Sequence, residues 1–336
     1  MKSEFIHLHN HSDYSLLDGA QKIDELLDTI TNLNMDSVGL TEHGNMFSAI
    51  SFYKAAKKHG IKPILGCEVY VAQGSRFDKT PKKDGGWGNN HLVLIAQNYS
   101  GYKNLMKLST AGYLEGFYYR PRIDKELLKE FNEGIICLSG CLKGEIQEFI
   151  VKGDYNKAKK TAVEFSEIFP ERFYLELHNH GIPEEDVVRE QLLKISKELN
   201  LPLVATNDCH YSLKENWEAH DVMFCLGTGK DRDDPKRQRY ATQEFYFKSQ
   251  DEMWKLFKNY PRAIENSRLI SDSCNIELPL GEYLLPKFPI PEKYNSHSPD
   301  DYLRICCEKG LKSVYPKIND EIINRLNFEL DVIKKM

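Results

Sequence analysis

The first residues of the chain carry three histidines at alternate positions, His7, His9 and His11, with Asp18 a few residues further on. In an extended strand, side chains two positions apart lie on the same face. Imidazoles on one face, together with a nearby carboxylate, can bind a divalent metal. The same pattern also fits a histidine-rich strand that only packs, so the rest of the chain must decide between the two.

Further residues that can bind metals recur close to the ends of the predicted strands. We expect nine of these residues to form one site: His9, His11, Asp18, His43, Glu68, His91, Cys141, Asp208 and His210. Five histidines, three carboxylates and one thiolate are too many for one tetrahedral zinc, and instead suit two or three divalent metals bridged by a carboxylate. Such clusters lower the pKa of a shared water and bind phosphoryl oxygens, which is the chemistry of phosphoester hydrolysis. The mixed donors favour Zn, Mn or Fe over Mg.

These residues need a scaffold, and short apolar runs alternate with helical patterns along the chain. Strands are predicted near 4–9, 37–41, 63–71, 91–97, 135–139, 173–177 and 203–206, and helices near 23–33, 45–59, 101–115, 144–168, 187–199 and 213–226. Alternation of this kind predicts a parallel α/β sheet, either open or closed into a barrel, with its chemistry where strands end. His91 fits less well because it precedes its apolar run. Either that strand is antiparallel or the loop before it brings His91 to the site.

Two segments between these elements are predicted to be loops. Residues 73–90 are rich in glycine and lysine, and residues 228–241 are dense in mixed charge. The second loop is either simply solvated or a basic edge that contacts phosphate through Lys236, Arg237 and Arg239.

A proline-rich stretch without periodicity near 277–299 predicts a domain boundary, and two amphipathic helices follow near 300–314 and 319–336. We therefore expect a metal-dependent domain over 1–275 and a linker with the start of a second region over 276–336. The last helix has no stop signal, so the sequence is expected to be a fragment.

Composition limits the class of protein. The chain has 336 residues, 41% apolar and 28% charged, with a formal net charge of −5. This charge gives no global field for nucleic acid, so any DNA contact must be local. With no transmembrane run and no signal sequence, a cytoplasmic location is expected. The eight cysteines lack Cys-x-x-Cys spacing and are expected to be buried thiols, apart from any that bind metal.

Five motifs in order resemble the PHP (polymerase and histidinol phosphatase) superfamily. They are His-x-His followed by Ser-Leu-Leu-Asp-Gly, then Gly-Leu-Thr-Glu-His-Gly-Asn, Gly-Cys-Glu-Val-Tyr, Leu-Ser-Gly-Cys and Asn-Asp-Cys-His-Tyr. Within the superfamily, the chain is most similar to the N-terminal PHP domain of the bacterial DNA polymerase III alpha-subunit family. Segments such as Phe-Tyr-Tyr-Arg-Pro-Arg and Leu-Pro-Lys-Phe-Pro-Ile-Pro extend this resemblance along the whole chain.

The resemblance implies a distorted seven-stranded (β/α)7 TIM-like barrel with up to three metals at one mouth. It assigns ligand roles to all nine residues, with Glu68 bridging, and it makes Asp208, Glu68 and His43 the expected catalytic set. The implied activity is a 3′–5′ exonuclease that acts on the primer 3′ end in replication and proofreading. The implied partners are DNA, the remainder of an alpha chain, and other holoenzyme subunits. No palm aspartates of a polymerase site are recognisable after residue 276, so this chain is not expected to polymerise.

Two other functions remain open. One is a scaffold that binds metals for stability and docks a separate proofreading exonuclease. The other is a small-molecule phosphatase similar to histidinol phosphatase, against which the polymerase-like segments argue.

Several other polar residues receive more ordinary interpretations. His7 is expected to be a core or supporting histidine, and the His178-Asn-His180 repeat of the first motif is expected to be a polar loop rather than a second metal site. Glu42 could support the site or be solvated. Arg120 and Arg122 form either an exposed basic turn or a phosphate contact.

Overall fold

The computed structural model describes residues 4–80, 88–283 and 285–336. The chain forms two units, Met1–Leu278 and Pro279–Met336. The second unit contains helices α11 (Pro299–Val314) and α12 (Asp320–Lys335), whose first turns are capped by the side chains of Ser298 and Asn319. Both helices lie where the sequence predicted them.

Over its described residues, the first unit is built around a sheet of seven strands. They are β1 (Ser37–Leu40), β2 (Lys62–Ala72), β3 (Asn89–Ala96), β4 (Arg122–Ile123), β5 (Ile135–Leu138), β6 (Phe173–Leu177) and β7 (Leu203–Ala205). Neighbours follow the order β1-β2-β3-β5-β6-β7, and β4 pairs with β2 outside this path. The predicted α/β fold with seven strands is confirmed, although β4 was not foreseen. Its two residues are too few to leave a periodic signal.

Strand β3 runs antiparallel to both of its neighbours, β2 and β5. The other strand pairs of the sheet are parallel, as predicted, and an antiparallel β3 is one of the two explanations considered for His91. The reversed direction of β3 carries His91, near the start of the strand, to the edge where the parallel strands end. Of the two explanations offered for His91, the antiparallel strand is the one that the structure supports.

The N-terminal segment 4–9 is not a regular strand, contrary to prediction, but it completes the sheet. On one side the amide of Gly39 donates to the carbonyl of His7 (2.7 Å). On the other side the amide of His11 donates to the carbonyl of Cys209 (2.9 Å), and Asn10 forms a parallel bridge with Cys209. The segment thus links β1 to the residues after β7. These bonds close the sheet into a distorted barrel.

In the described part of the first unit, ten helices surround the sheet. They are α1 (Ile23–Asn32), α2 (Ala49–Lys58), α3 (Tyr99–Leu114), α4 (Lys125–Glu130), α5 (Glu145–Val151), α6 (Tyr155–Ile168), α7 (Pro183–Leu199), α8 (Trp217–Thr228), α9 (Gln250–Leu256) and α10 (Pro261–Ser273). The single helix predicted over 144–168 is divided into α5 and α6. Gly153 adopts φ +77° and Asp154 caps α6, which explains the break. Helices α4, α9 and α10 were not predicted.

The barrel interior explains where the polar residues lie. One apolar cluster contains Ile64 of β2 and Val204 of β7, together with residues of the segment 4–9, β3, β5 and α10. Alternate residues of a strand share a face. The row that begins at Ile64 continues through Gly66 to Glu68, and the loop that follows β7 carries Asp208. Buried carboxylates therefore lie at the mouth of the barrel, directly above its apolar core.

Two remaining expectations concern cysteines and membranes. Five cysteines are buried and Cys141 and Cys307 are partly buried, but Cys306 on α11 is exposed, so not every cysteine is a core thiol. Within the described ranges, no helix combines the length and the apolar character needed to span a membrane.

Candidate metal centre

All nine predicted site residues come together at the mouth of the barrel. Six of them line a cavity of about 730 Å³: Asp18, His43, His91, Cys141, Asp208 and His210. His9, His11 and Glu68 lie buried and in contact with members of that group. Three sets of donor atoms fall within 4.8 Å of one another, namely His11 with His43 and His210, His9 with His11 and Asp208, and His43 with Glu68 and His91.

Glu68 occupies the middle of this group and turns its two oxygens in different directions. Its Oε1 lies 2.8 Å from Nδ1 of His91 and 3.4 Å from Nε2 of His9. Its Oε2 lies 2.5 Å from Nδ1 of His43 and 3.9 Å from Nε2 of His11. A carboxylate with separate histidines on each oxygen has the geometry to bridge two cations.

Asp208 approaches the same group from the loop after β7, in an uncommon backbone conformation. Its φ of +43° lies in the left-handed region, which aspartate tolerates better than most residues and which recurs at functional sites. Its Oδ1 lies 3.1 Å from Nε2 of His11 and 3.4 Å from Nε2 of His9. The turn thus aims one carboxylate oxygen at two imidazoles of the N-terminal segment.

Three histidines are oriented by hydrogen bonds at Nδ1, on the far side of the ring from the site. Nδ1 of His9 donates to Oε1 of Glu176 (2.8 Å), Nδ1 of His11 to Oγ of Ser15 (3.1 Å), and Nδ1 of His210 to the carbonyl of Asp208 (2.8 Å). With the proton on Nδ1, each Nε2 carries its lone pair into the site. This arrangement is the usual way in which proteins fix metal-binding histidines.

The unsatisfied atoms support this orientation. Buried polar atoms normally have hydrogen-bond partners. Among the described residues, Nε2 of His9, His11 and His210 and Oδ1 of Asp208 are buried without one. All four atoms are metal donors, and they belong to one group. Divalent cations would satisfy them, so the residues present fit a metal cluster.

A network behind His11 and His43 explains how the loop after His11 is fixed. Ser15 donates its hydroxyl to Oε2 of Glu42 (2.5 Å), which leaves its oxygen to accept from His11 and from the amide of His43 (3.0 Å). Glu42 also accepts the hydroxyl and the amide of Ser12. Glu42 is 1% exposed. It therefore supports the site and is not the solvated residue that was considered as an alternative.

Asp18 contacts the group through His43, and two residues outside the set of nine, Tyr240 and His220, hydrogen-bond to Asp18. Its Oδ2 lies 3.0 Å from Nε2 of His43, and its Oδ1 accepts the hydroxyl of Tyr240 (2.8 Å). His220 donates Nε2–H to the carbonyl of Asp18 (2.8 Å). His220 is not among the nine residues predicted from the sequence, because helical spacing in α8 gives no sign of this contact. Tyr240 likewise carried no sequence signal.

Cys141 completes the group on the β5 side. Its Sγ lies 3.9 Å from both Oε1 of Glu68 and Nδ1 of His91. Burial, followed by the charge of Glu68, raises the pKa of this thiol well above its usual value. The preceding Gly140 has φ +85° and donates its amide to Glu176 (2.9 Å), which fixes the turn. A nearby cation would be required to make Cys141 a thiolate.

The charges inside the group are strongly coupled. Burial alone would lower the pKa of His43, but the carboxylates of Glu68 and Asp18 outweigh burial and raise it to about 10. Burial opposes ionisation of Glu68 as well, yet His91 and His43 hold its pKa well below the usual value. Without metal, protons on histidine therefore compensate the buried carboxylates.

The His178-Asn-His180 motif lies in the loop between β6 and α7, as predicted, but both of its histidines are buried. Nδ1 of His180 contacts Glu185 (2.6 Å) and its Nε2 donates to the carbonyl of Asn207 (2.9 Å). His178 contacts Glu176 (3.1 Å), the carboxylate that orients His9. Both histidines are buried, and both line the cavity of the candidate site. Glu176 lies two residues before His178, and this position beside the motif was the available sequence clue to its role.

His7 was expected to be either a core residue or a supporting histidine of the site, and it lies in the core. Its ring packs edge-on against Phe5 and Phe247, with centroids 4.8 and 4.9 Å away. Its Nε2 donates to the carbonyl of Lys248 (2.8 Å). The ring therefore does not join His9 and His11 at the mouth.

The family model described as PHP domain matches residues 7–180. The chain is 46% identical over 333 residues to the DNA polymerase III subunit alpha of Borreliella burgdorferi, which covers 99% of this chain and 29% of that protein. It is 41% identical to the subunit of the same name from Treponema pallidum, over 100% of this chain and 28% of the relative. The chain thus spans under a third of the length of these relatives.

Among solved structures, the chain is similar to an amidohydrolase from Chromobacterium violaceum. The TM-score is 0.41 at 13% identity, and the match covers 61% of this chain and 87% of the other.

Proposed function

The chain belongs to the PHP domain family, and on that premise we propose that it is a metal-dependent phosphodiesterase domain that removes nucleotides from the 3′ end of DNA. Its substrate would be a primer terminus, and its role would be proofreading beside a replicative polymerase. The similarity to DNA polymerase III alpha subunits supports this context, and the polymerase itself would lie in the remainder of a longer chain. The cytoplasm would be its location.

One observation carries the proposal. Three buried imidazole nitrogens and one buried carboxylate oxygen, from His9, His11, His210 and Asp208, converge without hydrogen-bond partners among the described residues. Leaving such atoms unpaired costs about 1–3 kcal/mol each. A site that keeps four of them together is built for cations rather than for folding alone.

The full set of nine residues would hold the metals, with Glu68 as the bridging carboxylate. When bound, two or three divalent metals would supply Lewis-acid stabilisation of phosphoryl charge and lower the pKa of water. The donors are nitrogen, oxygen and sulphur, which suits Zn, Mn or Fe.

The protein's own groups would supply position and charge. Glu176, Ser15 and the carbonyl of Asp208 fix the tautomers of three histidines, and this fixes where their lone pairs meet. His43 must lose a proton before its nitrogen can serve as a ligand, because Asp18 and Glu68 keep it protonated at neutral pH. Asp208, Glu68 and His43 are the residues on which activity should depend most.

The scaffold function has its own support. The N-terminal segment closes the barrel with only a few backbone bonds, and His9 and His11 lie on that segment. Metals bound there would tie the segment to Glu68 of β2 and to Asp208 after β7. Such a centre could stabilise the barrel, with a separate exonuclease docked elsewhere, even without turnover.

The test combines metal analysis with a nuclease assay. The 336-residue chain is purified without chelators, its metals are counted by elemental analysis, and nucleotide release is followed from a 3′-labelled primer. Two or three metals per chain with metal-dependent 3′ release are expected. The variant Asp208→Asn should abolish release, whereas Asp251→Asn, on the exposed start of α9, should not.

The alternatives give different results in the same experiment. Bound metals without release, together with a melting temperature that falls sharply on chelation, would favour the scaffold. Wild-type release by a folded Asp208→Asn variant would refute the proposed site. Turnover of histidinol phosphate without any release from DNA would point to the small-molecule phosphatase.

A further inference from the structure

Four arginines in two sequence motifs separate into two structural classes. Arg122 and Arg237 are 2% and 8% exposed, whereas Arg120 and Arg239 are exposed to solvent. Both basic motifs had two open interpretations at the sequence level, a solvated turn and a phosphate contact. The structure shows that neighbouring arginines of one motif have different roles.

The buried pair is fully engaged by the protein. Nε of Arg122 donates to the carbonyl of Gly116 (3.1 Å), and its Nη2 donates to the carbonyl of Asp78 (2.8 Å). Arg237 forms two parallel bonds of 2.6 Å to the carboxylate of Asp221. These guanidinium groups hold loops together and have no capacity for a ligand.

Arg120 lines the cavity of the candidate metal centre. Its guanidinium lies over the ring of Tyr70, 5.7 Å from the centroid. The ring of Tyr70 in turn lies 5.2 Å from that of His91. Tyr70 therefore joins this arginine to one side of the nine-residue group.

Arg239 lines the same cavity from the loop after α8. Its Nη2 donates only to backbone carbonyls, those of Arg232 (3.2 Å) and Asp234 (3.5 Å). The next residue, Tyr240, bonds to Asp18 and places its ring 5.1 Å from that of His210. Arg239 thus stands beside the His210 side of the group.

Both guanidinium groups keep their charge available. Within residues 4–80, 88–283 and 285–336, no ion pair joins either arginine to a carboxylate. Among the acidic residues that line the cavity, Asp18 bonds to His43 and Tyr240, Glu148 to Asn90 and Lys152, and Glu185 to His180, whereas Asp208 faces His9 and His11 of the metal centre. Free guanidinium groups at the opening of a cavity are suited to phosphate, which they can bind in a bidentate manner.

We propose that Arg120 and Arg239, on the two sides of the metal centre, bind backbone phosphates of a single DNA strand. This inference rests on the proposed function and adds to it the residues that recognise the substrate. His43 lies between the two sides, with its ring 5.8 Å from that of His91 and 5.7 Å from that of His210. Two cationic groups on opposite flanks suit a strand with several phosphates better than a small phosphomonoester. Because the chain has a net charge of −5, local groups of this kind must supply the attraction for DNA.

The test measures binding separately from catalysis. The probe is a fluorescein-labelled octathymidylate whose phosphorothioate linkages are charged and slow to hydrolyse. Its anisotropy is titrated with the wild-type chain, Arg120→Gln, Arg239→Gln and the double variant. Each single change should weaken binding about tenfold, the value of one charge-assisted contact. The plot of log K against log salt should lose about 0.7 of slope for each arginine.

Two controls make the result specific. Arg262→Gln alters an exposed arginine of α10 outside the cavity and should bind like the wild type. An octathymidylate with uncharged methylphosphonate linkages should bind weakly to all the proteins and should not distinguish them. Unchanged melting temperatures would show that the exposed substitutions leave the fold intact.

The outcomes separate this inference from the proposed function. If the variants bind the charged probe like the wild type, or if the wild type does not bind it, the inference is wrong, whatever the nuclease assay shows. If binding falls as expected while no chain releases nucleotides, the arginines form a strand-binding site in a protein that is not a nuclease.

Discussion

Nδ1 of His9 lies 2.8 Å from Oε1 of Glu176, a residue 167 positions later in the sequence. The same carboxylate accepts the hydroxyl of Thr206 (2.5 Å) and, through Oε2, the amide of Gly140 (2.9 Å). Burial opposes its ionisation, but the charges and hydrogen bonds of His9 and His178 lower its pKa to well below the usual range. Glu176 is therefore an ionised group that fixes a candidate ligand without itself entering the set of nine.

Replacing Glu176 with Gln should weaken metal binding about 10- to 100-fold, the usual effect of losing a carboxylate behind a ligating histidine. The amide can present its NH2 group to His9, which removes the preference for a proton on Nδ1. Metal affinity is measured by competition with a coloured chelator. Glu171→Gln, on an exposed residue just before β6, is the matched control. Wild-type affinity in a folded Glu176→Gln protein would contradict the positioning role.

Metal affinity should rise with pH through the neutral range, because His43 binds a proton in competition with metal. Its pKa of about 10 without metal means that it is protonated at pH 7, so binding there must release a proton. Isothermal titration in two buffers of different ionisation enthalpy measures the number of protons released. The His43→Gln variant should release about one proton fewer per chain. If both proteins release the same number of protons on binding metal, His43 is not protonated in the metal-free protein at this pH.

Stability without metal should fall as the pH drops from about 6.5 to about 4, partly through His7. Burial lowers the pKa of this histidine to about 4, so the unfolded chain takes up its proton first as the pH falls. The contribution of the neutral His7 ring to stability is therefore complete above about pH 6.5, the pKa in the unfolded chain. This contribution is lost as the pH falls from about 6.5 to about 4. The free energy of unfolding should fall by about 3 kcal/mol at most, because a shift of one pKa unit corresponds to about 1.36 kcal/mol.

The check on His7 is urea unfolding with chelator present at pH 7 and at pH 4.5. The His7→Gln variant can keep a donor near the carbonyl of Lys248 but cannot titrate. We expect a smaller difference between the two pH values for this variant than for the wild type. The same pH difference in both proteins would assign the acid sensitivity to other groups.

The two arginines of the Arg-Pro-Arg motif should differ strongly in their effect on folding. Arg122→Gln replaces a buried guanidinium group that donates to three backbone carbonyls, and it should lower the free energy of unfolding by about 3 kcal/mol. Arg120→Gln changes an exposed side chain and should shift the free energy of unfolding by less than about 0.5 kcal/mol. Chemical denaturation of the two variants measures both values. Similar losses in the two would mean that Arg120 also supports the fold.

The sequence alone determined much of the candidate site. All nine residues were identified from residue type, from alternate spacing in His9 and His11, and from positions at strand ends, and the resemblance to a family added their expected roles. Six of the seven predicted strands lie where the apolar runs placed them. These features are local, because side-chain periodicity and strand termini are properties of a few consecutive residues.

Only the tertiary structure decided which polar residues serve which purpose. The antiparallel direction of β3, the closure of the barrel by segment 4–9, and the pairing of His9 with Glu176 all depend on partners far away in the sequence. The division between Arg120 and Arg122 depends on burial, which the motif itself does not encode. Spacing places side chains on a face, but the long-range packing of the barrel sets which atoms on that face remain unpaired and available to a ligand.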